Sequence, residues 1–168
     1  MAGARRPREP THPLDCHERA LRLLSVRQRS RRELQDRLLR AGFEPEEVDG
    51  ELERLTEVGL VDDRRFAREF ADHQLKVRLA GRRAVASALA GKGVDRATIE
   101  ETLAGCATDD AGAAEALARS RAGRLAGLPP ETAFSRLVSF LVRRGHAPEV
   151  ARRAAREVLT LDVAGSES

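Results

Sequence analysis

Aromatic residues are scarce in this sequence. They make up 3 % of 168 residues, and all five are Phe, with no Trp and no Tyr. Single-strand binders that stack bases need exposed rings as platforms. Phe66 and Phe70 stand at i, i+4 and read as core, and Phe43 follows a glycine where a helix cap wants an apolar contact. Any nucleic-acid contact is therefore expected with phosphates, weakly sequence-dependent and strongly salt-dependent. There is a single Ile (Ile99) and no sustained period-two alternation, which argues against strands. The two cysteines, Cys16 and Cys106, lie far apart and form no metal-ligand spacing. They read as free thiols of a reducing cytoplasm. No apolar run approaches the roughly 18 residues that cross a bilayer, so no membrane association is expected. Residues 1–13 carry three Arg and three Pro but no apolar stretch, which reads as a tail rather than a secretory signal.

Catalytic patterns are missing as well. No GxSxG, P-loop, HExxH or EF-hand pattern occurs. His12, His17, His73 and His146 show no metal spacing, and His73 is expected to pack on a helix face with Phe66, Phe70 and Val77. Asp62-Asp63 is an adjacent carboxylate pair at a helix start, where an N-cap role is the simplest reading. No enzyme activity, catalytic residue, metal or cofactor is expected.

What the chain does have is helix-forming residues and a repeat. Hydrophobic residues are 41 % of the total, so the core must be built from Leu, Val and Ala. Gly42, Gly93 and Gly145 are 51 and 52 residues apart. Eight residues before each lie Leu34, Val85 and Leu137; four before lie Leu38, Leu89 and Leu141. That spacing lines one helix face, with the glycine at the left-handed C′ position. A second helix begins after each glycine, marked by Val48 and Leu52, by Ile99 and Leu103, and by Val150, Ala154 and Val158. Pro45 and Pro148 suit the first turn, and Asp95 suits the N-cap in the middle unit. Leading helices are expected at 16–27, 63–79 and 111–125. Ser30 and Glu33 have capping-box spacing. Gly81 and Pro129-Pro130 interrupt the chain before the middle helix of their units.

The expected fold is all-α: three tandem three-helix repeats in an elongated array that can curve. The boundaries read as a disordered tail over 1–14, repeats over 15–61, 62–107 and 108–161, and a frayed tail over 162–168.

Charge is distributed by helix. Of 30 basic residues 28 are Arg, against 27 acidic ones. A GC-rich genome produces such an Arg bias by itself, so placement is the informative quantity. Residues 27–40 hold six basic and two acidic side chains, 44–57 one and seven, 64–92 eight and two, and 136–156 six and one. Arg31-Arg32 and Arg82-Arg83 stand eleven and ten residues before their glycines, in first helical turns, where cations oppose the macrodipole. Repetition of a locally unfavourable choice points to an anionic partner; pairing with the acidic third helix is the competing explanation.

Three segments resemble the RecX family. Gly59-Leu60-Val61-Asp62-Asp63-Arg64-Arg65-Phe66-Ala67 is similar to its G-[LY]-[IVL]-D-D-x-x-F-A signature. Arg27-Gln28-Arg29-Ser30-Arg31-Arg32-Glu33-Leu34 resembles its R-x-[RH]-S-x-x-E-L helix start. Gly81 to Val94 resembles its G-x-x-x-I-x-x-x-L-x-x-K-G-[IV] element. The third repeat shares only the helix pattern and Arg143-Arg144-Gly145. The resemblance implies a tandem three-helix-repeat regulator that lies along the helical groove of a RecA–single-stranded-DNA filament; a cytoplasmic monomer is expected. It also implies restraint of RecA ATPase, strand exchange and coprotease activity, within DNA repair, the SOS response and homologous recombination. Candidate contacts to RecA or DNA are Arg27, Arg31, Arg32, Arg40, Arg64, Arg68, Lys76, Arg78, Arg82, Arg83, Lys92, Arg143 and Arg144. Gly59, Leu60, Asp62, Asp63, Phe66, Gly81 and Gly93 are expected to be structural. The alternative is a basic helical module that binds nucleic-acid phosphates without any RecA role.

Overall fold

The computed structural model describes residues 14–107 and 109–165, with side chains as far as residue 160. The N-terminal tail expected over 1–14 lies almost wholly outside the described residues. Every regular element among the described residues is helical: α1 (Cys16–Val26), α2 (Arg31–Arg40), α3 (Pro45–Glu57), α4 (Asp63–Asp72) running into a π-helical turn (His73–Val77), α5 (Arg82–Gly91), α6 (Arg96–Gly105), α7 (Asp110–Ala122), α8 (Pro130–Arg143) and α9 (Pro148–Gly165). Helix α9 continues to Gly165, into the stretch expected to fray from 162.

The three glycines end α2, α5 and α8 in one way. Gly42, Gly93 and Gly145 have φ of 95°, 80° and 94°, a region that costs an L side chain but not glycine. The next residue then donates its N–H back to the helix: Phe43 to Leu38, Val94 to Leu89 and His146 to Leu141, at 3.4, 3.2 and 3.2 Å. These are the 6→1 bonds of the Schellman motif. The expected core marks Leu34, Leu38, Val85, Leu89, Leu137 and Leu141 are all buried. In α6 the buried face is Thr98, Ile99 and Thr102, and Leu103 is only half-buried.

Capping follows local chemistry. Asp15 and Glu18 form a reciprocal capping box on α1. The Ser30 hydroxyl accepts the Glu33 N–H on α2, and the Asp95 carboxylate accepts the Thr98 N–H on α6, at 3.1 and 2.9 Å. Pro45 and Pro130 occupy first-turn positions of α3 and α8, and α9 opens at Pro148.

The chain divides into two compact units, Met1–Phe66 and Ala67–Ser168. The first closes α1, α2 and α3 around Cys16, Ala20, Leu34, Leu38, Val48, Leu52, Leu55 and Val61. In the second, Ala114, Ala118 and Ala122 put a stripe of methyl groups on α7, which packs with Leu137 and Leu141 of α8 and Ala151, Ala154, Ala155 and Val158 of α9. Small residues at i, i+4 and i+8 let helix backbones approach closely.

Within this second unit, the start of α5 meets the end of α8 backbone to backbone. The Gly81 N–H donates to the Arg144 carbonyl at 2.9 Å, and the Arg83 N–H to the Gly145 carbonyl at 3.3 Å. A Cβ on Gly81 would stand 2.1 Å from the Gly145 carbonyl carbon, and one on Gly145 would stand 2.4 Å from Ala84 Cβ. Gly81 has φ of −70° and is the N-cap of α5. Its missing side chain therefore serves close packing, more than the chain break expected of it. Beside this joint His146 is fully buried. Its Nδ1 lies 2.9 Å from Asp110 Oδ1 and its Nε2 3.1 Å from the Leu79 carbonyl. Leu79 itself is held at φ 49°, in the left-handed region.

Candidate anion-binding surface

The signature aspartates act within the first unit. Asp62 Oδ1 accepts the N–H groups of Arg64 and Arg65 at 2.9 and 3.0 Å, capping α4. Asp63 reaches back across 32 residues, and its Oδ1 accepts the Arg31 N–H at 2.8 Å. One aspartate thus starts its own helix and the other closes the N-terminus of α2, where a negative charge also suits the dipole. Gly59 (φ 73°) ends α3, the Leu60 N–H donates to the Leu55 carbonyl, Phe66 is buried and Leu60 is exposed. The motif specifies how helices join.

Several candidate cations are spent inside the fold. Arg27 pairs with Glu33, which also receives Arg29 at 2.9 Å and Arg37 at 3.8 Å. Arg29, absent from the expected contacts, is buried and also donates from Nε to the Leu23 carbonyl. Burial lowers its pKa below the usual arginine value, with neighbouring Arg27 and Arg37 adding to the effect. Lys76 pairs with Asp72 at 2.9 Å, and Lys92 Nζ sits 5.4 Å above the Phe70 ring.

The twin arginine pairs receive a structural explanation for their first members. Arg31 Nη1 donates to Thr56 Oγ1, in the last turn of α3, at 3.3 Å. Arg82 donates to the carbonyls of Leu103 and Cys106 at the end of α6. Each leads its helix with a cation yet sends its guanidinium to the C-terminal end of the third helix of its own group. At Arg82 the placement is favourable, because those carbonyls carry the negative end of a dipole. Arg31 and Arg82 thus each have a use within the fold.

The second members differ. Arg32 and Arg83 are exposed, and their guanidinium groups have no partner among the described residues; the same holds for Arg40, Arg68, Arg78 and Arg143. Arg64 is exposed and engaged through its backbone with Asp62. Arg144 is half-buried: one guanidinium nitrogen donates to the Arg78 carbonyl, and its Nε is buried without a hydrogen-bond partner. The second unit thus brings Arg78 to Arg143 and Arg144, from which it is distant in sequence.

The histidine expectation is also corrected. His73 and Val77 are exposed, because the buried stripe of this segment runs through Ala67, Ala71 and Leu75, at i, i+4 and i+8, and not along the face that carries them. Among the described residues the buried histidine is His146, whose signal was present in the repeat: it occupies the position of Phe43 and Val94. Among the described residues no cluster of three or more His, Cys, Asp or Glu is placed to hold a metal ion, and no helix is long and apolar enough to cross a membrane.

Small three-helix groups and Schellman-ended middle helices define an all-helical repeat protein. Comparison with known proteins gives the family. Residues 16–55 match the first three-helix domain of RecX and residues 62–103 match the second. The chain is 36 % identical over 152 residues to the regulatory protein RecX of Thermobifida fusca, covering 88 % of this chain and 82 % of that one. It is 40 % identical over 146 residues to that of Mycobacterium ulcerans, covering 85 % and 84 %. The crystal structure of RecX from Lactobacillus salivarius has the same fold, with a TM-score of 0.73 at 20 % identity over 85 % of this chain and 94 % of that one. The chain belongs to the RecX family of regulatory proteins.

Proposed function

We propose that this protein binds the RecA–single-stranded-DNA filament and restrains RecA, lowering its ATPase, strand-exchange and coprotease activities. The observation that carries the reading is membership of the RecX family across both of its first two three-helix domains. The unpaired arginines Arg32, Arg40, Arg68 and Arg83 supply charge for an anionic partner. The protein works by binding, as a cytoplasmic monomer, and its DNA contacts are with phosphates. The test is RecA's DNA-dependent ATPase with and without this protein. A fall at near-stoichiometric ratios is expected; an unchanged rate across a range of salt overturns the reading. Excess competitor DNA separates the alternative. If competitor abolishes the effect, simple DNA binding without a RecA role explains it.

A further inference from the structure

A cleft of about 350 Å³ opens in the second unit where the π-helical turn, α5 and the end of α8 meet. Arg78, Arg143, Arg144 and Gln74 form its polar walls, and Ala84 and Ala88 lie among its apolar lining. No carboxylate lines it, and no described acidic residue pairs with any of the three arginines. That is unusual in a chain with 27 acidic residues, where Lys76, close by on the π-helical turn, finds Asp72. Three cations left together repel one another unless an anion joins them. Arg144 adds a second sign of incompleteness, since its Nε is buried with no acceptor.

The frame around the cleft is set in advance. The Arg144 carbonyl is fixed by the Gly81 N–H, its guanidinium by the Arg78 carbonyl, and the chain beyond it by buried His146. Main-chain groups nearby are already used: the Ala80 N–H donates to Gln74 and the Arg78 N–H to His73. An extended peptide would find no free edge to pair with. What remains is guanidinium forks, which match oxyanions in bidentate geometry, above methyl groups that offer no ring for a base to stack on.

We propose that this cleft is a phosphate-binding site that takes the sugar-phosphate backbone of a nucleic-acid strand without reading its bases. It extends the nucleic-acid part of the reading above and does not depend on the RecA part.

The test is fluorescence anisotropy of a labelled oligothymidylate with the full-length protein over a salt series. The variants are R78A, R143A and their double, with exposed Arg124→Ala, which does not line the cleft, as control. Circular dichroism checks that each is folded. The double variant is expected to bind about tenfold more weakly, and the slope of log affinity against log salt should become shallower by about 0.7 for each phosphate no longer neutralised. R124A should leave both unchanged. Wild-type affinity and slope in the double variant overturn the proposal, as does an equal loss in R124A. A labelled polyglutamate whose binding needs Arg78 and Arg143 while the oligonucleotide's does not also overturns it, in favour of an acidic protein partner. If RecA is unaffected but the cleft-dependent binding stands, only the regulatory reading falls.

Discussion

Gly81→Ala is the sharpest probe of the joint between α5 and α8. The added methyl would lie 2.1 to 2.2 Å from the carbonyl group of Gly145 and the nitrogen of His146. Those are backbone atoms, so no flexible side chain can yield. Relief requires the two segments to part, and parting breaks the bonds from Gly81 to Arg144 and from Arg83 to Gly145. Overpacking costs about 1–3 kcal/mol, and two hydrogen bonds cost about 1 kcal/mol each. The expected loss is therefore about 3–5 kcal/mol, a large share of the roughly 5–15 kcal/mol of a domain.

Gly91→Ala is the matched control. Gly91 lies in the last turn of the same helix, and a Cβ there meets nothing within 4 Å. Here alanine should stabilise by about 0.5–1 kcal/mol, through helix propensity and a less flexible unfolded chain. Urea unfolding followed by circular dichroism should show opposite signs for one chemical change made at the two ends of one helix. Gly81→Ala should also weaken oligonucleotide binding, because the same contact holds Arg144 in the cleft. A Gly81→Ala protein within about 0.5 kcal/mol of wild type, the ordinary scale of a harmless surface change, would refute the backbone-contact argument.

Other expectations follow from single contacts. Cys16 is buried and its thiol is pushed up to about 11 by that burial, then by Glu47, Glu51 and Asp15. At pH 8 its thiolate is roughly one part in a thousand, so a thiol reagent should titrate half-buried Cys106 in the native protein and both cysteines only after denaturation. The Thr98 hydroxyl and N–H hold the Asp95 carboxyl below the usual carboxylate range. A depressed value stabilises the fold above the unfolded pKa of about 3.9 and is lost as pH falls through the folded one. Wild type should thus lose more stability than Asp95→Ala between about pH 5 and pH 3. Asp63→Ala removes the acceptor for the Arg31 N–H and should cost about 1 kcal/mol in thermal unfolding, like loss of an N-cap. Arg82→Ala should destabilise by about 1–2 kcal/mol through the orphaned carbonyls of α6, whereas exposed Arg83→Ala should leave melting unchanged and weaken the RecA effect.

The fold was legible because each repeat is local. A glycine eight residues after one apolar position and four after another specifies helix, cap and turn together, and Gly42, Gly93 and Gly145 all adopt positive φ as that logic requires. The site was legible only in part, because charge pattern carries no information on where a long side chain ends. Arg82 lies 21 residues from Leu103 in sequence and within hydrogen-bonding reach of it in space. Asp63 reaches Arg31 in the same manner. His73 misled because its spacing from Phe66 and Phe70 suggests one apolar face, whereas the buried stripe is carried by the small residues Ala67 and Ala71 together with Leu75.

The two members of each arginine pair differ in what they touch. An arginine at a helix start is locally unfavourable only if its charge stays there. Arg31 and Arg82 carry theirs toward the last turn of the third helix of their group, Arg31 to the Thr56 hydroxyl and Arg82 to the carbonyls of Leu103 and Cys106, so their repetition follows from the repeat itself. Arg32 and Arg83, one residue later, point to no such end, and their guanidinium groups have no described partner. The third repeat has Phe134 and Ser135 at these positions, and its cations fall instead at Arg143 and Arg144 beside the glycine. It therefore lacks the structural arginine and its neighbour, while its own adjacent pair lines a cleft that the repeat pattern does not require. A feature that departs from the repeat yet costs charge repulsion to keep is the better place to look for a ligand than one the repeat reproduces.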